Sequence, residues 1–129
     1  MITRNQIYTY IHNALVAYDT NVFTTSERVY ATSRFPTVSI EQIEYSPQRE
    51  TVTPTAESYR STWEVQAFCD DRNGGATRAR ELVETAEQAF LAIGFIMTTN
   101  FPTENTKEIT IKRHIARFTR MLCDDDTIT

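Results

Sequence analysis

The stretch Tyr59-Arg60-Ser61-Thr62-Trp63-Glu64-Val65-Gln66-Ala67-Phe68-Cys69 decides the fold. Tyr59, Trp63, Val65, Ala67 and Cys69 alternate with Arg60, Thr62, Glu64 and Gln66, the two-residue period of a half-buried strand. Trp63 falls on the apolar side, so it is predicted to be a core residue whose indole N–H finds a partner. Beyond the strand, Asp70 to Gly75 (DDRNGG) is a turn cluster. A helix is predicted over Thr77 to Ile93, because Ala79, Leu82, Val83, Ala86, Phe90 and Ile93 recur at helical spacing. Glu81, Glu84 and Glu87 fall on its other side, and Gly94 stands where a left-handed cap would end it.

Further along, Phe95 to Thr99 reads as a short strand and Asn100 to Thr106 (NFPTENT) as a polar turn. Lys107 to Leu122 fits two patterns. Ile109 and Ile111 alternate as in a strand, while Ile111, Ile115, Phe118 and Leu122 also fit a helix. The density of β-branched residues and the hairpin-like turn before it favour the strand.

On the N-terminal side, Ser46 to Ser58 (SPQRETVTPTAES) holds Pro47, Pro54, Arg49, Glu50 and Glu57 and almost nothing apolar. Such a segment cannot offset its own ordering entropy, and a long mobile loop or an extended hairpin arm is predicted. Val38 to Tyr45 reads as a strand whose phase changes: Val38 and Ile40 share one face, Ile43 and Tyr45 the other. One inserted residue, a bulge, would restore a single buried face. Val22 to Pro36 reads as a connection with room for a short strand or a turn of helix. The chain opens with a helix over Arg4 to Tyr18, with Thr3 and Gln6 at capping-box spacing and Ile2 and Ile7 placed as a hydrophobic staple. Ile7, Ile11, Ala14, Leu15 and Tyr18 form its apolar stripe, and His12 lies off it, as a rim histidine would.

The order is therefore helix, strand, loop, strand, helix, strand, strand. It predicts an α+β fold with a mostly antiparallel sheet of about four or more strands and two helices packed on one face. The 129 residues fit one domain, 1–129, with a polar loop at 46–58 and a fraying tail at 124–129.

Composition removes several function classes. A net charge of −4 disfavours a generic basic nucleic-acid binder. The glycines Gly74, Gly75 and Gly94 cannot build a phosphate-cradling loop. His12 and His114 are too few for a classical zinc site or a histidine-based triad. Cys69 and Cys123 make no disulfide framework and read as free thiols. The runs Cys69-Asp70-Asp71 and Cys123-Asp124-Asp125-Asp126 lack a ligand spacing and read as solvated acidic turns. The longest apolar run, Ala89 to Met97, falls well short of the roughly 20 residues a bilayer needs, so no membrane partner is expected. The N-terminus makes a poor signal peptide, since His12 and Asn13 interrupt the apolar stretch. No carboxylate is placed by pattern in an apolar pocket, and no Ser or Thr has a base nearby in sequence. The expectation is a protein without enzyme activity, cofactor or metal.

One charged segment stands out. Lys107, Lys112, Arg113, Arg117 and Arg120, with His114, make 107–120 basic in an acidic chain. On a strand, Lys112, His114 and Arg120 share one face and Arg113 and Arg117 the other. A solvated sheet edge, packing within the chain, self-association and nucleic-acid binding all fit such a segment.

The run from Trp63 to Arg117 resembles the tail-terminator, or tail-completion, proteins of long-tailed bacteriophages. The resemblance lies in the strand STWEVQAFCD, the turn NGGATRAR, the amphipathic helix ending LAIGF, the polar turn NFPTENT and the closing strand ITIKRHIARF, with RFPTVSI as a strand entry. It extends over about Tyr8 to Leu122 and is one of order and texture. It implies a small structural subunit of the virion neck, assembled in the host cytoplasm, that forms a ring, commonly a hexamer. That ring would cap the tail tube and meet the head-side connector, with DNA passing through the lumen and no sequence-specific binding. The partners implied are further copies of the chain, the tail tube protein and the head-side connector protein. Another connector ring protein, or a small nucleic-acid-binding or regulatory domain using 107–120, are the rival readings. Under the ring reading, Glu81, Glu84 and Glu87 of one copy would face Lys112, Arg113, Arg117 and Arg120 of the next. The polar arm with Arg49 and Glu50 would reach a neighbour or the adjoining ring.

Because thiols and carboxylates are not organised at ligand spacing, the purified protein should hold no stoichiometric zinc or iron after dialysis. Elemental analysis checks this, and a metal retained one to one with the chain would overturn it.

Overall fold

A computed structural model describes residues 2–27, 35–48, 58–70, 75–104 and 111–123. In chain order the elements are α1 (Arg4–Tyr18), β1 (Phe23–Thr25), β2 (Thr37–Gln48), β3 (Ser58–Asp70), α2 (Gly75–Ala92), β4 (Ile96–Glu104) and β5 (Ile111–Cys123). The strands form one sheet in the order β1-β2-β3-β5-β4. β1 runs parallel to β2, and the other pairings are antiparallel. The fold is α+β, with the helices packed against a mostly antiparallel sheet.

The helix α1 starts as its sequence dictates. Thr3 accepts from the Gln6 backbone N–H, and the Gln6 side chain accepts from the Thr3 N–H, at 3.2 and 2.8 Å. Ile7, Ile11 and Leu15 are fully buried, and Ile2 beside the cap joins the same core. Its exit is held by the Asp19 N–H donating to the Leu15 carbonyl at 2.9 Å and by an ion pair from Asp19 to Arg78 of α2. Tyr18 stands exposed at this end.

The second strand carries the bulge that its phase change requires. Its register against β3 shifts between Gln42 and Glu44, leaving Ile43 as the extra residue. Thereafter Tyr45 faces Ser61 and lies on the same side as Val38 and Ile40. The strand continues through Ser46, Pro47 and Gln48, which pair with Arg60, Tyr59 and Ser58. The first three residues of the predicted polar loop thus extend the hairpin; 49–57, including Arg49 and Glu50, lie outside the described residues, as does the tail 124–129.

The core lies between the helices and one sheet face. It joins Val38 and Ile40 of β2, Trp63, Val65, Ala67 and Cys69 of β3, and Ala116, Phe118 and Leu122 of β5 to the buried stripes of both helices. Trp63 is 1% exposed, and its Nε1–H donates to Ser61 Oγ at 2.9 Å. Phe90 of α2 stacks on Phe118, with centroids 4.5 Å apart, and meets Phe95 edge-on at 5.1 Å and Trp63 at 6.2 Å.

One expected element is corrected. The predicted polar turn over Asn100 to Thr106 is strand as far as Glu104, with Pro102 inside it. Proline is tolerated because β4 is the outermost strand, where a missing N–H can face away from the ladder. The strand predicted for 107–122 is found over Ile111–Cys123 as β5, between β3 and β4; 107–110, with Lys107, lie outside the described residues.

The α2 terminus closes as a Schellman motif. The Phe95 N–H donates to the Phe90 carbonyl at 3.0 Å and the Gly94 N–H to the Leu91 carbonyl at 3.1 Å. Gly94 sits at φ +90°, and a Cβ there would lie 3.2 Å from Arg120 Nε. Arg120 in turn donates from Nη1 to the Ile93 carbonyl at 2.5 Å, so the cap and β5 hold one another. Gly94→Ala should therefore lower stability by about 1–2 kcal/mol through backbone strain, before any displacement of Arg120. Thermal denaturation followed by circular dichroism checks this, and an unchanged midpoint would remove the cap from the account.

Candidate functional site

The charged residues singled out in the sequence are distributed by the register of β5. Opposite residues on paired strands share a face, so Lys112, His114 and Arg120, paired with Cys69, Ala67 and Ser61, lie on the helix side. Arg113 and Arg117, paired with Phe68 and Glu64, lie on the outer face. The basic segment is therefore two half-segments separated by the sheet.

On the outer face the charges are bonded within the chain. Arg117 Nε donates to Glu64 Oε2 at 2.8 Å, and Gln66 Nε2 donates to Glu64 Oε1 at 2.5 Å. This lets Glu64 be 95% buried with its carboxylate satisfied on both oxygens. One row along, the Thr62 hydroxyl reaches Glu44 Oε1 at 2.9 Å and Thr119 Oγ1 at 3.1 Å, bridging three strands. The Arg113 guanidinium lies 5.9 Å from the centre of the Phe68 ring.

The acidic residues of α2 do not form one uniform face. Glu81 accepts from the Tyr18 hydroxyl at 2.7 Å, which raises the phenol's pKa from its ordinary value, the hydrogen bond being the main cause. Glu84 pairs with Arg80 one turn earlier at 3.7 Å, and Glu87 is half-buried. On the helix side of β5, His114 is buried and its Nε2 bonds Asn100 Oδ1 of β4. Burial first, and Arg80 second, lower its pKa from the ordinary 6.5, with Glu84 opposing. Neither Glu64 as the partner of Arg117 nor Asn100 as the partner of His114 was legible in sequence, because no local pattern encodes cross-strand register.

The two thiols sit in different surroundings. Burial, with Asp70 adding to it, pushes the Cys69 thiol up to about 12, which keeps it protonated and inert; Cys123 is exposed. Thr24 Oγ1 lies 2.6 Å from His12 Nδ1 and 3.0 Å from the Tyr8 hydroxyl, so the rim histidine ties α1 to β1. A cleft of about 640 Å³ lies between the start of α1 and the β2 edge, lined among others by Arg4, Tyr8, Glu27 and Glu41. Among the described residues, no three His, Cys, Asp or Glu side chains converge as metal ligands. Likewise, no described helix is long and apolar enough to cross a membrane.

No known family model matches the chain, and no curated protein matches it.

The buried His114 has a testable consequence. Its folded pKa is below its unfolded one, so the unfolded chain takes up the proton first as pH falls. The contribution to stability is full above the unfolded pKa of about 6.5 and is lost as pH drops through the folded value. Between about pH 7.5 and 5.5, the melting temperature should fall more steeply for the native chain than for His114→Gln. Equal slopes would show that His114 titrates alike in both states.

Proposed function

We propose that this chain is a structural protein of the neck of a long-tailed bacteriophage, a ring subunit that terminates the tail tube and joins it to the head-side connector. The observation carrying this reading is the succession from Trp63 to Arg117: strand, the turn-forming run before α2, amphipathic helix, the strand β4 that continues through NFPTE, and closing strand, an order and texture that resembles the tail-terminator proteins. An α+β sheet with helices packed against it is what that succession implies. The partners on this reading are further copies of the chain, the tube protein and the connector, with DNA threading the lumen and no membrane contact. Glu81, Glu84, Glu87 and the basic residues Lys112, Arg113, Arg117 and Arg120 are the proposed contacts between subunits, with Arg49 and Glu50 on the arm.

The nucleic-acid reading is weakened by a specific observation. A binder of the phosphate backbone gathers its cations on one surface. Here β5 divides them between two faces, and Arg117 is neutralised by Glu64.

Negative-stain electron microscopy tests the proposal. The purified protein is imaged alone and after mixing with tubes assembled from the tube protein encoded near it. Closed rings are expected, free or seated on tube ends, since a template gathers weakly associating subunits. Tube ends left bare, with no rings in either sample, would overturn the reading. So would a tight stoichiometric complex with duplex DNA.

A further inference from the structure

The strand β4 is held by little besides its backbone ladder. Ile96, Met97 and Phe101 stand exposed, and none of its described side chains, from Ile96 to Pro102, is buried. It pairs on one side only, with a shift between Met97 and Thr99. By contrast, β5 pairs with β3 along its whole length without a shift. A segment with few buried apolar contacts opens locally at a lower cost than the whole fold. Just before β4 the chain is anchored, since Phe95 is 1% exposed and bonded to the α2 terminus.

Side chains add ties between β4 and β5. Thr98 Oγ1 donates to the Arg117 carbonyl at 3.4 Å, and Asn100 Oδ1 bonds His114 Nε2. An amide oxygen only accepts, so the neutral ring donates from Nε2 and takes up a further proton at Nδ1. That ring is 7% exposed and lies on the helix side of the sheet. The charged and titratable residues around it are Arg80 and Glu84 of α2, Lys112 two positions back on β5, Cys69 of β3 and, by register alone, Glu104 of β4. Burial and Arg80 disfavour an imidazolium there, and Glu84 opposes them.

A ring charged in this place is relieved by reaching water. Asn100 stands exposed, so a route out lies past β4. Of the two strands that flank β5, β4 is also the one without a buried anchor among its described side chains. We propose that His114 is an acid-operated latch: protonation of its ring releases β4 from β5, while β3, the β3–β5 pairing and both helices stay folded. Release uncovers the backbone edge of β5, a strand with no proline or glycine and no shift against β3. Such an edge accepts an added strand, whereas β4, with Pro102 and its shift, does not. The latch does not depend on the neck reading.

The sign follows from linkage. In the open state the ring titrates near its ordinary value of about 6.5, and in the closed state below it. The cost of opening is therefore full above about pH 6.5 and falls as pH drops through that value toward the closed one.

Amide hydrogen exchange of the full chain tests this, read by NMR at pH 7.5 and 5.5 and expressed as protection against the unfolded-chain rate at each pH. Protection of the β4 amides bonded to β5 should fall by about threefold or more at pH 5.5, while that of Trp63 to Ala67 in β3 holds. His114→Gln should abolish the fall. Arg80→Gln should shrink it and Glu84→Gln enlarge it, because the first change favours the closed imidazolium and the second disfavours it. Both of those side chains are more than half exposed, so the fold tolerates the changes. β4 protection that does not change with pH would overturn the latch. So would β4 and β3 losing protection together, the mark of global unfolding, or a fall that survives His114→Gln. Should His114→Gln fail to fold, the other two variants decide, and responses equal to the native chain's would overturn the proposal.

Discussion

The contact that the rest of the structure depends on is the insertion of Phe90 among Phe118, Phe95 and Trp63. Those rings come from α2, β5, the entry to β4 and β3, so a single side chain ties the helix to three separate stretches of chain. Each aromatic pair contributes about 0.5–1.5 kcal/mol beyond the area it buries. The position of Phe90 also sets the end of α2. Its carbonyl receives the Phe95 N–H, so ring packing and cap closure lie at the same residue. This cap turns the chain back along the sheet. It starts β4 one strand away from β3, and β5 fills the gap.

The insertion of β5 between β3 and β4 explains the arrangement of charge. A central strand must present both faces to the fold, so its alternating residues meet different surroundings. Arg117 meets Glu64 on the outer face, whereas His114 meets Asn100 beneath the helix and Arg120 meets the α2 terminus. Pairing of this kind costs desolvation and is offset only where every oxygen and N–H finds a partner. Glu64 meets that condition through Arg117 and Gln66. The Glu64 carboxylate and the Arg117 cation thus hold the sheet together across β3 and β5.

How far the sequence could be read follows from the range of each interaction. The α1 cap at Thr3 and Gln6, the bulge near Ile43, the burial of Trp63 with its N–H satisfied and the left-handed Gly94 were all legible, because each depends on residues a few positions apart. The alternation of β5 also predicted which basic residues share a face. What could not be read was what those faces meet. Glu64 and Arg117 are 53 residues apart, and their pairing depends on strand register. The extension of β4 across Pro102 was missed for a related reason. Proline argues against a central strand and is compatible with an edge one, and sheet order was not visible in the pattern.

Sheet order also shapes any surface available for assembly. The edges of a sheet are where its backbone can recruit a stranger, and here both edge regions are irregular: β1 has three residues, and β4 carries a proline and a register shift. An irregular edge is poor at indiscriminate strand addition. Its protruding side chains remain available, and side chains discriminate where backbone groups do not. A contact made through such side chains would draw its affinity mostly from apolar burial, with exposed ion pairs, worth about 0–1 kcal/mol each, setting orientation. Between those edges the aromatic contact at Phe90 joins α2 to β3 and β5, so the frame that carries them is set by the core.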